Sequence, residues 1–402
     1  MGSAGGFDTA RLAAIDAFVR TRYLDSGKLP NAQLLIARDG EIAHFSHQGT
    51  ARDGGADVDE GSLFRIASMT KPITSVAFMM LVERGLVALD TPVHHVLPEF
   101  AGLGVYNGGG GGVPFVTKPC EQSMRMIDLL RHTAGLTYSF QNRSNVDAAY
   151  REAKIEAWHN NLDLDGFVAA LGRLPLEFSP GTSWNYSVAT DVLGAVVQRV
   201  ADMPLEQVFA DWIFAPLDMH DTFFTVPTDK ADRLVDCYTI KPGEGRVMLD
   251  TGAKSAWLRP PTLVSGGGGL VSTALDYHRF TAMLLGGGTL DGVRIVGRKT
   301  IDLMTRNHLP GKADLASLST SLFSEAANAG TGFGLGFAIN DDVARSMIPG
   351  SDGEYYWGGM FSTAFFVDPV ERITMTFMTQ LSPSNLYPIR RELKTLIYAA
   401  LN

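Results

Sequence analysis

Ser68 and Lys71 stand three residues apart in the stretch SMTK, at the start of a long apolar segment. If this segment is helical, the two side chains share one face and the lysine amine can reach the serine hydroxyl. Serine alone is a poor nucleophile. A lysine in apolar surroundings loses its proton more easily, so it can act as the base or stabilise another base. The pair therefore points to nucleophilic acyl chemistry, with the N–H groups of the helix start facing a carbonyl oxygen under attack.

The spacing Ser-x-x-Lys is weak evidence by itself, because long chains contain it by chance. The simpler interpretation is a capped helix with a solvated lysine. The following stretch, PITSVAFMMLVERGL, is apolar on nearly every side, which is typical of a buried helix. Pro72 suits a first turn and Gly85 a left-handed end, so we predict a helix from about Ser68 to Arg84. A lysine one turn into such a helix needs a polar partner or a lowered pKa.

Residue patterns near both termini predict the sheet and the helices that position Ser68 and Lys71. Residues 7–24 have the apolar spacing of an amphipathic helix, with Asp8 as its cap. Two β-rich runs then flank Asp39 and Gly40, a dipeptide that favours a tight hairpin. Alternating strands near the C-terminus precede a final helix over residues 388–401.

These patterns predict an α+β fold, in which an antiparallel sheet is flanked by N- and C-terminal helices and carries an inserted, mostly helical domain. We expect the sheet domain to comprise residues 1–66 and 262–402 and the helical domain residues 67–261. The active site is expected at the seam between them.

The predicted helical domain contains several further elements. The run of glycines at residues 108–112 indicates a mobile surface loop, and residues 145–172 indicate helices. A helical stripe follows TSWNYS, capped by Ser187 with Asp191 in its first turn. Later in the chain, four glycines precede a helix that begins near Ser272 or Thr273.

Five segments together resemble the serine β-lactamase and penicillin-binding-protein superfamily, on its class C side, and most closely the family VIII carboxylesterases. The segments lie in order between positions 61 and 380, so the resemblance covers most of the chain. It implies a β-lactamase/transpeptidase-like fold. The segments are FRIASMTK, LLRHTAGL, PGTSWNYS, SGGGGLVST and WGGMF.

The resemblance implies a role for individual residues. Ser68 resembles the nucleophile, Lys71 its partner, and Tyr186 the tyrosine that serves as general base while Lys71 lowers its pKa. WGGM stands in place of a Lys-Thr-Gly strand, so the backbone N–H groups of Met360 and Ser68 would form the oxyanion hole. The remaining matches imply a substrate-binding role and are Tyr138, Trp357, Gly358 and Gly359. From the residues alone, Tyr186 is better explained as a half-buried aromatic at a helix start, and Tyr138 is equally well explained as a core aromatic.

Two departures from the superfamily pattern concern the substrate. Val188 stands where a lactamase or peptidase has asparagine, and Trp357 stands where the strand has its lysine. A substrate carboxylate usually binds through a charge-assisted hydrogen bond, which contributes about 1.5–3 kcal/mol. We therefore expect a serine carboxylesterase for neutral esters with short-to-medium acyl or aryl parts. The alternatives are a β-lactamase, D-amino-acid peptidase or acyltransferase with the same residues, and a non-catalytic binding protein of this fold.

Composition and missing motifs argue against other classes. The net charge is −9, from 43 acidic and 34 basic residues, and no Lys/Arg cluster occurs, so a nucleic-acid partner is not expected. The chain has no GxSxG, no HExxH and no phosphate-binding loop, so we expect neither a metal nor a cofactor. No secretory apolar region or bilayer-length run occurs, so we expect a cytoplasmic protein without a membrane partner. The oligomeric state is left open.

Overall fold

A computed structural model describes residues 3–156, 162–320 and 329–402 of the 402-residue chain. Trp158, one of the apolar residues of the predicted helices at 145–172, lies outside these ranges. The α-helices of the described residues are α1 (Thr9–Val19), α2 (Thr70–Glu83), α3 (Met126–Leu130), α4 (Asn145–Glu152), α5 (Leu164–Leu171), α6 (Ala189–Ala201), α7 (Leu205–Phe209), α8 (Ala274–Leu285), α9 (Arg298–Met304), α10 (Leu315–Leu318), α11 (Val343–Ser346) and α12 (Ile389–Ala399).

The strands pair mostly with neighbours along the chain. They are β1 (Ser3–Ala4), β2 (Phe7–Asp8), β3 (Asn31–Arg38), β4 (Glu41–Gly49), β5 (Phe64–Arg65), β6 (Val105–Gly110), β7 (Val113–Lys118), β8 (Cys237–Lys241), β9 (Gly245–Asp250), β10 (Val271–Ser272), β11 (Thr289–Leu290), β12 (Val293–Arg294), β13 (Thr331–Phe333), β14 (Ala338–Asn340), β15 (Tyr355–Gly358), β16 (Ala364–Asp368), β17 (Ile373–Met378) and β18 (Leu381–Ser382).

The main sheet joins the two ends of the chain. Its seven strands run in the order β13-β14-β15-β16-β17-β3-β4, and every neighbouring pair is antiparallel. The hairpin between β3 and β4 turns at Asp39 and Gly40, both with positive φ (53° and 85°), as the sequence predicts. The central pairing sets Met375 of β17 opposite Ile36 of β3. The predicted α+β architecture is thus confirmed.

Helices cover both faces of this sheet. On one face α1 and α12 pack through Ile15 and Leu393, and Asp8 caps α1 by accepting from the N–H groups of Ala10 and Arg11. The other face packs against α8, which is capped by Thr273 as predicted. The sheet is therefore the middle layer of three, because α1 and α12 lie on one side of it and α8 and the core on the other.

Residues 67–261 contain most of the remaining helices, with α2 and α6 packed together at their centre. The buried cluster on this side includes Ile73 of α2 and Phe365 of β16, so the two predicted domains share one core. The domain boundaries themselves stay a prediction.

The prediction of a mobile loop at residues 108–112 is wrong. The glycines belong to a β-hairpin formed by β6 and β7, and Gly109 sits so close to the partner strand that a Cβ would lie 2.1 Å from the carbonyl oxygen of Pro114. Asn145 also donates a 2.7 Å hydrogen bond to the Gly109 carbonyl. Backbone pairing, which glycine allows at close approach, therefore orders this segment.

No α-helix of the described ranges combines the length and the apolarity that a membrane span requires. Of the two free cysteines, Cys237 is buried and Cys120 is partly exposed.

Candidate active site

Ser68 lies on a sharp connection between a strand and a helix. Strand β5 ends at Arg65, a 3₁₀ turn runs over Ala67–Met69, and α2 begins at Thr70, two residues later than predicted. Ala67 adopts a left-handed φ of 45°, which costs an L-residue about 1 kcal/mol. Backbone strain of this kind is often stored at functional sites. The turn leaves Ser68 partly exposed, although Met69 and Thr70 beside it are buried.

Lys71 is buried one turn further along, with 2% of its surface exposed. Its Nζ lies 3.3 Å from the Oγ of Ser68, 3.0 Å from the hydroxyl of Tyr138 and 2.6 Å from the carbonyl oxygen of Gly267. Three oxygens around one amine suit the three N–H bonds of an ammonium group. The polar partners that the sequence requires for this lysine are therefore present.

Tyr186 completes the contacts of Ser68. Its hydroxyl lies 2.7 Å from the Oγ of Ser68, and the Nζ of Lys71 lies 4.7 Å from the centre of its ring. The structure thus brings together the three residues that the sequence selects as catalytic, although Tyr186 is 118 residues from Ser68. The Oγ of Ser68 thus accepts from the hydroxyl of Tyr186 and lies within hydrogen-bond distance of the Lys71 amine.

A cluster of aromatic rings fixes the position of Tyr186. Trp184 stacks on it at 6.3 Å between ring centres, and the rings of His132, Tyr138 and Trp357 lie 5.0, 5.2 and 5.4 Å away. Tyr186 itself is only 2% exposed. Because its ring is enclosed on several sides, its hydroxyl is held at Ser68.

The glycine-rich segment before α8 contains Gly267, whose carbonyl oxygen accepts a hydrogen bond from Lys71. Strand β10 pairs with β5, directly before the serine, and the N–H of Ile66 donates to the carbonyl of Leu270. Asp191 of α6 accepts a 2.5 Å hydrogen bond from the hydroxyl of Ser265 and a 3.0 Å bond from the N–H of Gly267. A Cβ on Gly267 would lie 2.3 Å from this carboxylate, so only glycine fits.

Burial and the charge of Lys71 govern the ionisation of the surrounding groups. Burial raises the pKa of Asp191, and the nearby Lys71 opposes this shift. Burial also raises the pKa of Tyr138 well above its usual value, so its hydroxyl is neutral near pH 7. Burial, with Lys71, lowers the pKa of His132 well below its usual value. His132 is therefore a neutral packing residue, as its place in HTAGL suggests.

The WGGM segment does not place the Trp357 side chain in the substrate-binding position that the resemblance implies. Trp357 is 2% exposed, and its ring packs behind Tyr186 and against Phe333, so it offers substrate almost no surface. Gly359 lies against the backbone before Ser68, where a Cβ would come within 2.4 Å of the Ile66 carbonyl oxygen. This close packing places the following residue, Met360, beside the serine turn.

The two N–H groups predicted to form the oxyanion hole are available for a ligand. Within the described residues, neither Ser68 nor Met360 donates its backbone N–H to an acceptor. The Met360 side chain is 45% exposed, which places this residue at the surface of the site. An N–H pair at a helix start and a strand end can stabilise a developing oxyanion.

Tyr138, predicted to line the pocket, is 8% exposed and contacts Lys71 through its hydroxyl. Phe140, which sequence analysis missed, stacks on the Tyr138 ring at 4.8 Å and is 52% exposed. The signal available in the sequence was a second aromatic residue two positions after Tyr138. Asp191 was also missed as a site residue, because its place in the first turn of a helix explained it and its partner Gly267 is 76 residues away.

Comparisons with known proteins find relatives of this chain along nearly its whole length. The chain matches the Beta-lactamase family over residues 15–399. It is 31% identical over 415 residues to Esterase EstB of Burkholderia gladioli, an alignment that covers 99% of this chain and 98% of that protein. The solved structure of EstCE1, a hydrolase with promiscuous acyltransferase activity, is similar at a TM-score of 0.79, with 26% identity and coverage of 97% and 99%. The crystal structure of a family VIII carboxylesterase has the same fold, at a TM-score of 0.71, 21% identity and coverage of 100% and 98%.

Proposed function

This chain belongs to the beta-lactamase family, and from that premise we propose that it is a serine carboxylesterase of the family VIII type that hydrolyses neutral esters with short-to-medium acyl or aryl parts. The observation that carries the proposal is the position of the Ser68 Oγ, within hydrogen-bond distance of both Tyr186 and Lys71. The similarity to Esterase EstB along nearly the whole chain supports the same activity.

The proposed reaction has two halves. The Oγ of Ser68 attacks the ester carbonyl, and its proton passes to the oxygen of Tyr186, which Lys71 stabilises as the phenolate. The N–H groups of Ser68 and Met360 hold the oxyanion. The C–O bond to the alcohol then breaks, Tyr186 returns the proton to the departing alkoxide, and an acyl-enzyme remains. Water adds to the acyl group by the same steps in reverse, which releases the acid and restores Ser68.

The substrate class follows from what the site lacks. Position 357 carries an indole where the superfamily has a lysine, and Val188 is fully buried where the superfamily has an asparagine side chain. A substrate carboxylate would therefore lose two polar partners at these positions, whereas a neutral ester loses nothing. This favours esters over β-lactams and over peptides that end in a carboxylate.

Acyl transfer is the second candidate, since an acyl-enzyme can react with an alcohol in place of water. The partial exposure of Ser68 leaves access for such an acceptor, and EstCE1 is described with this additional activity. Adding an alcohol in rising concentration during ester turnover measures the partition. Ester exchange that outpaces hydrolysis would make the transferase the main activity.

The decisive experiment compares p-nitrophenyl butyrate with a chromogenic cephalosporin, together with mass spectrometry after a fluorophosphonate probe. We expect faster ester hydrolysis, a covalent label on the peptide that contains Ser68, and loss of both in Ser68→Ala. Faster cephalosporin turnover would favour a β-lactamase. Unlabelled protein without hydrolysis would favour a binding protein, and a label elsewhere would refute the assigned nucleophile.

We also propose a cytoplasmic location and a small-molecule ester as substrate. The two free cysteines support the first, because disulfides are typical of oxidising compartments, and the esterase relatives support the second.

A further inference from the structure

Arg390, in the first turn of α12, contacts the loop between β15 and β16 that carries Met360. Its Nη2 donates a 2.6 Å hydrogen bond to the carbonyl of Gly359 and a 2.7 Å bond to the carbonyl of Thr363. These two residues close the turn between β15 and β16, where the N–H of Gly359 also donates to the carbonyl of Thr363. The guanidinium of Arg390 therefore links both ends of this turn to α12.

The glycine at position 358 makes room for the guanidinium. A Cβ built on Gly358 would lie 2.5 Å from the Cζ of Arg390 and 2.6 Å from its Nη2. A distance below 3 Å requires that the guanidinium move away, so Gly358 and Arg390 form a matched pair. The two glycines of WGGM consequently have separate roles, because Gly359 faces Ile66, beside Ser68, and Gly358 faces Arg390.

The contact between Arg390 and Gly359 determines where the N–H of Met360 points. The C=O of Gly359 and the N–H of Met360 belong to one planar trans peptide, so they point in opposite directions. A guanidinium that holds the carbonyl on one side thereby directs the N–H to the other side. A hydrogen bond from a cation also polarises the peptide, which strengthens its N–H as a donor.

We propose that Arg390 is the positioning residue of the oxyanion hole: through Gly359 it orients and polarises the N–H of Met360 without touching the substrate. This inference rests on the proposed function, since it assumes that Met360 donates to the oxyanion. It assigns a part in the reaction to a residue 322 positions after Ser68 and outside every segment that carries the family resemblance.

The variants Arg390→Ala and Arg391→Ala form a matched test on neighbouring residues of α12. Arg391 is exposed and donates to the carbonyl of Met347, away from the WGGM loop. Removing one oxyanion donor costs about 10²–10³ in kcat, so loss of its orientation in Arg390→Ala should lower kcat about 10- to 100-fold. KM should stay within about twofold, as for an interaction made in the transition state, and Arg391→Ala should retain wild-type values.

Two further measurements separate orientation from damage to the fold. A thionoester, whose sulfur accepts hydrogen bonds poorly, already forgoes oxyanion stabilisation, so Arg390→Ala should slow its hydrolysis much less than that of the oxygen ester. Arg390→Lys, or free guanidinium added to Arg390→Ala, should restore part of kcat. Equal losses on both esters, an unchanged kcat, or a KM effect alone would overturn the inference.

A different result would contradict the proposed function itself. If wild-type protein takes no fluorophosphonate label on Ser68, the esterase assignment is wrong whatever the Arg390 variants do. If the label forms in wild type and in Arg390→Ala but kcat is the same in both, only the role of Arg390 is wrong.

Discussion

The Nζ of Lys71 lies 2.6 Å from the carbonyl oxygen of Gly267, closer than its 3.3 Å separation from the Oγ of Ser68. A carbonyl oxygen can only accept, so Lys71 must donate to it. The amine is thereby held on the side of Gly267, and its charge faces the ring of Tyr186 at 4.7 Å. Of the two roles open to the lysine, base or stabiliser of another base, this geometry favours the second.

Tyr186→Phe should remove the proton acceptor and retain the packing. The ring contacts with Trp184 and His132 persist, whereas the hydroxyl 2.7 Å from Ser68 is lost. We expect kcat/KM for p-nitrophenyl butyrate to fall about 10²- to 10⁴-fold, the usual contribution of a general acid–base group. Steady-state kinetics and a thermal melt, which should change little, check this outcome.

Tyr138→Phe is the matched control for that variant. It also removes a buried hydroxyl, but one that contacts Lys71 rather than Ser68. Burial keeps this phenol neutral, so it cannot serve as the base, and we expect only a several-fold loss. If kcat/KM falls more in Tyr138→Phe than in Tyr186→Phe, Tyr138 rather than Tyr186 is the general base.

Asp191→Asn should weaken catalysis through Gly267 and Lys71. The change removes the negative charge beside Lys71 and one acceptor of the Ser265 and Gly267 hydrogen bonds. Loss of one such charge-assisted bond costs at least about 1.5 kcal/mol, which corresponds to about a tenfold lower kcat. Kinetics at neutral pH give the measurement.

Asp276→Asn controls for the general effect of neutralising a buried aspartate. Asp276 accepts from the hydroxyl of Thr222 and the N–H of Asp221 at the start of α8. The variant Asp276→Asn should be less stable than wild type but should retain its kcat. If Asp191→Asn behaves in the same way, the carboxylate only supports the fold.

Local signals in the sequence predicted the elements that local residues determine. Asp39 and Gly40 specify a hairpin and Thr273 specifies a helix cap through contacts with near neighbours. The glycines at 108–112 have no side chains, so they show no alternating pattern that would predict a strand. Asp191 and Arg390 act on segments 76 and 31 positions away, respectively, and no local pattern signals such contacts.

His132 should make the fold less stable in mild acid. Its pKa in the folded chain lies well below the value of about 6.5 expected in the unfolded chain, because of burial and Lys71. The unfolded chain therefore binds the extra proton, and this contribution to stability is present above pH ~6.5 and lost as the pH falls towards the folded pKa. The free energy of unfolding should drop by up to about 1.4 kcal/mol per pH unit from this residue.

His132→Asn isolates that contribution, since asparagine tolerates the φ of 57° at this position. Urea unfolding between pH ~7.5 and ~5 should give a shallower pH slope for the variant than for wild type. Only the slopes are compared, because loss of the ring lowers stability at every pH. Parallel slopes would show that His132 does not resist protonation in the folded chain.

Phe140→Ala should alter acyl-chain preference. Phe140 presents an exposed apolar face beside Tyr138, the residue that contacts Lys71. Losing about 1 kcal/mol of apolar contact should raise KM for a p-nitrophenyl octanoate about fivefold and leave the acetate unchanged. Val370→Ala, a truncation of an exposed residue on the turn after β16, should change neither ester. Equal KM changes on both esters would place Phe140 outside the acyl path.

The packing of Trp184 and Trp357 around Tyr186 gives the protein an internal optical reporter. Both indoles lie within 6.3 Å of the tyrosine ring and are almost completely shielded from solvent. The long-wavelength absorption tail of an ionised phenol overlaps the emission of buried tryptophan, so a phenolate at Tyr186 should quench these two indoles by energy transfer. A change in tryptophan fluorescence during stopped-flow turnover can therefore report the protonation of Tyr186 in unmodified protein, with no dye and no chromogenic ester.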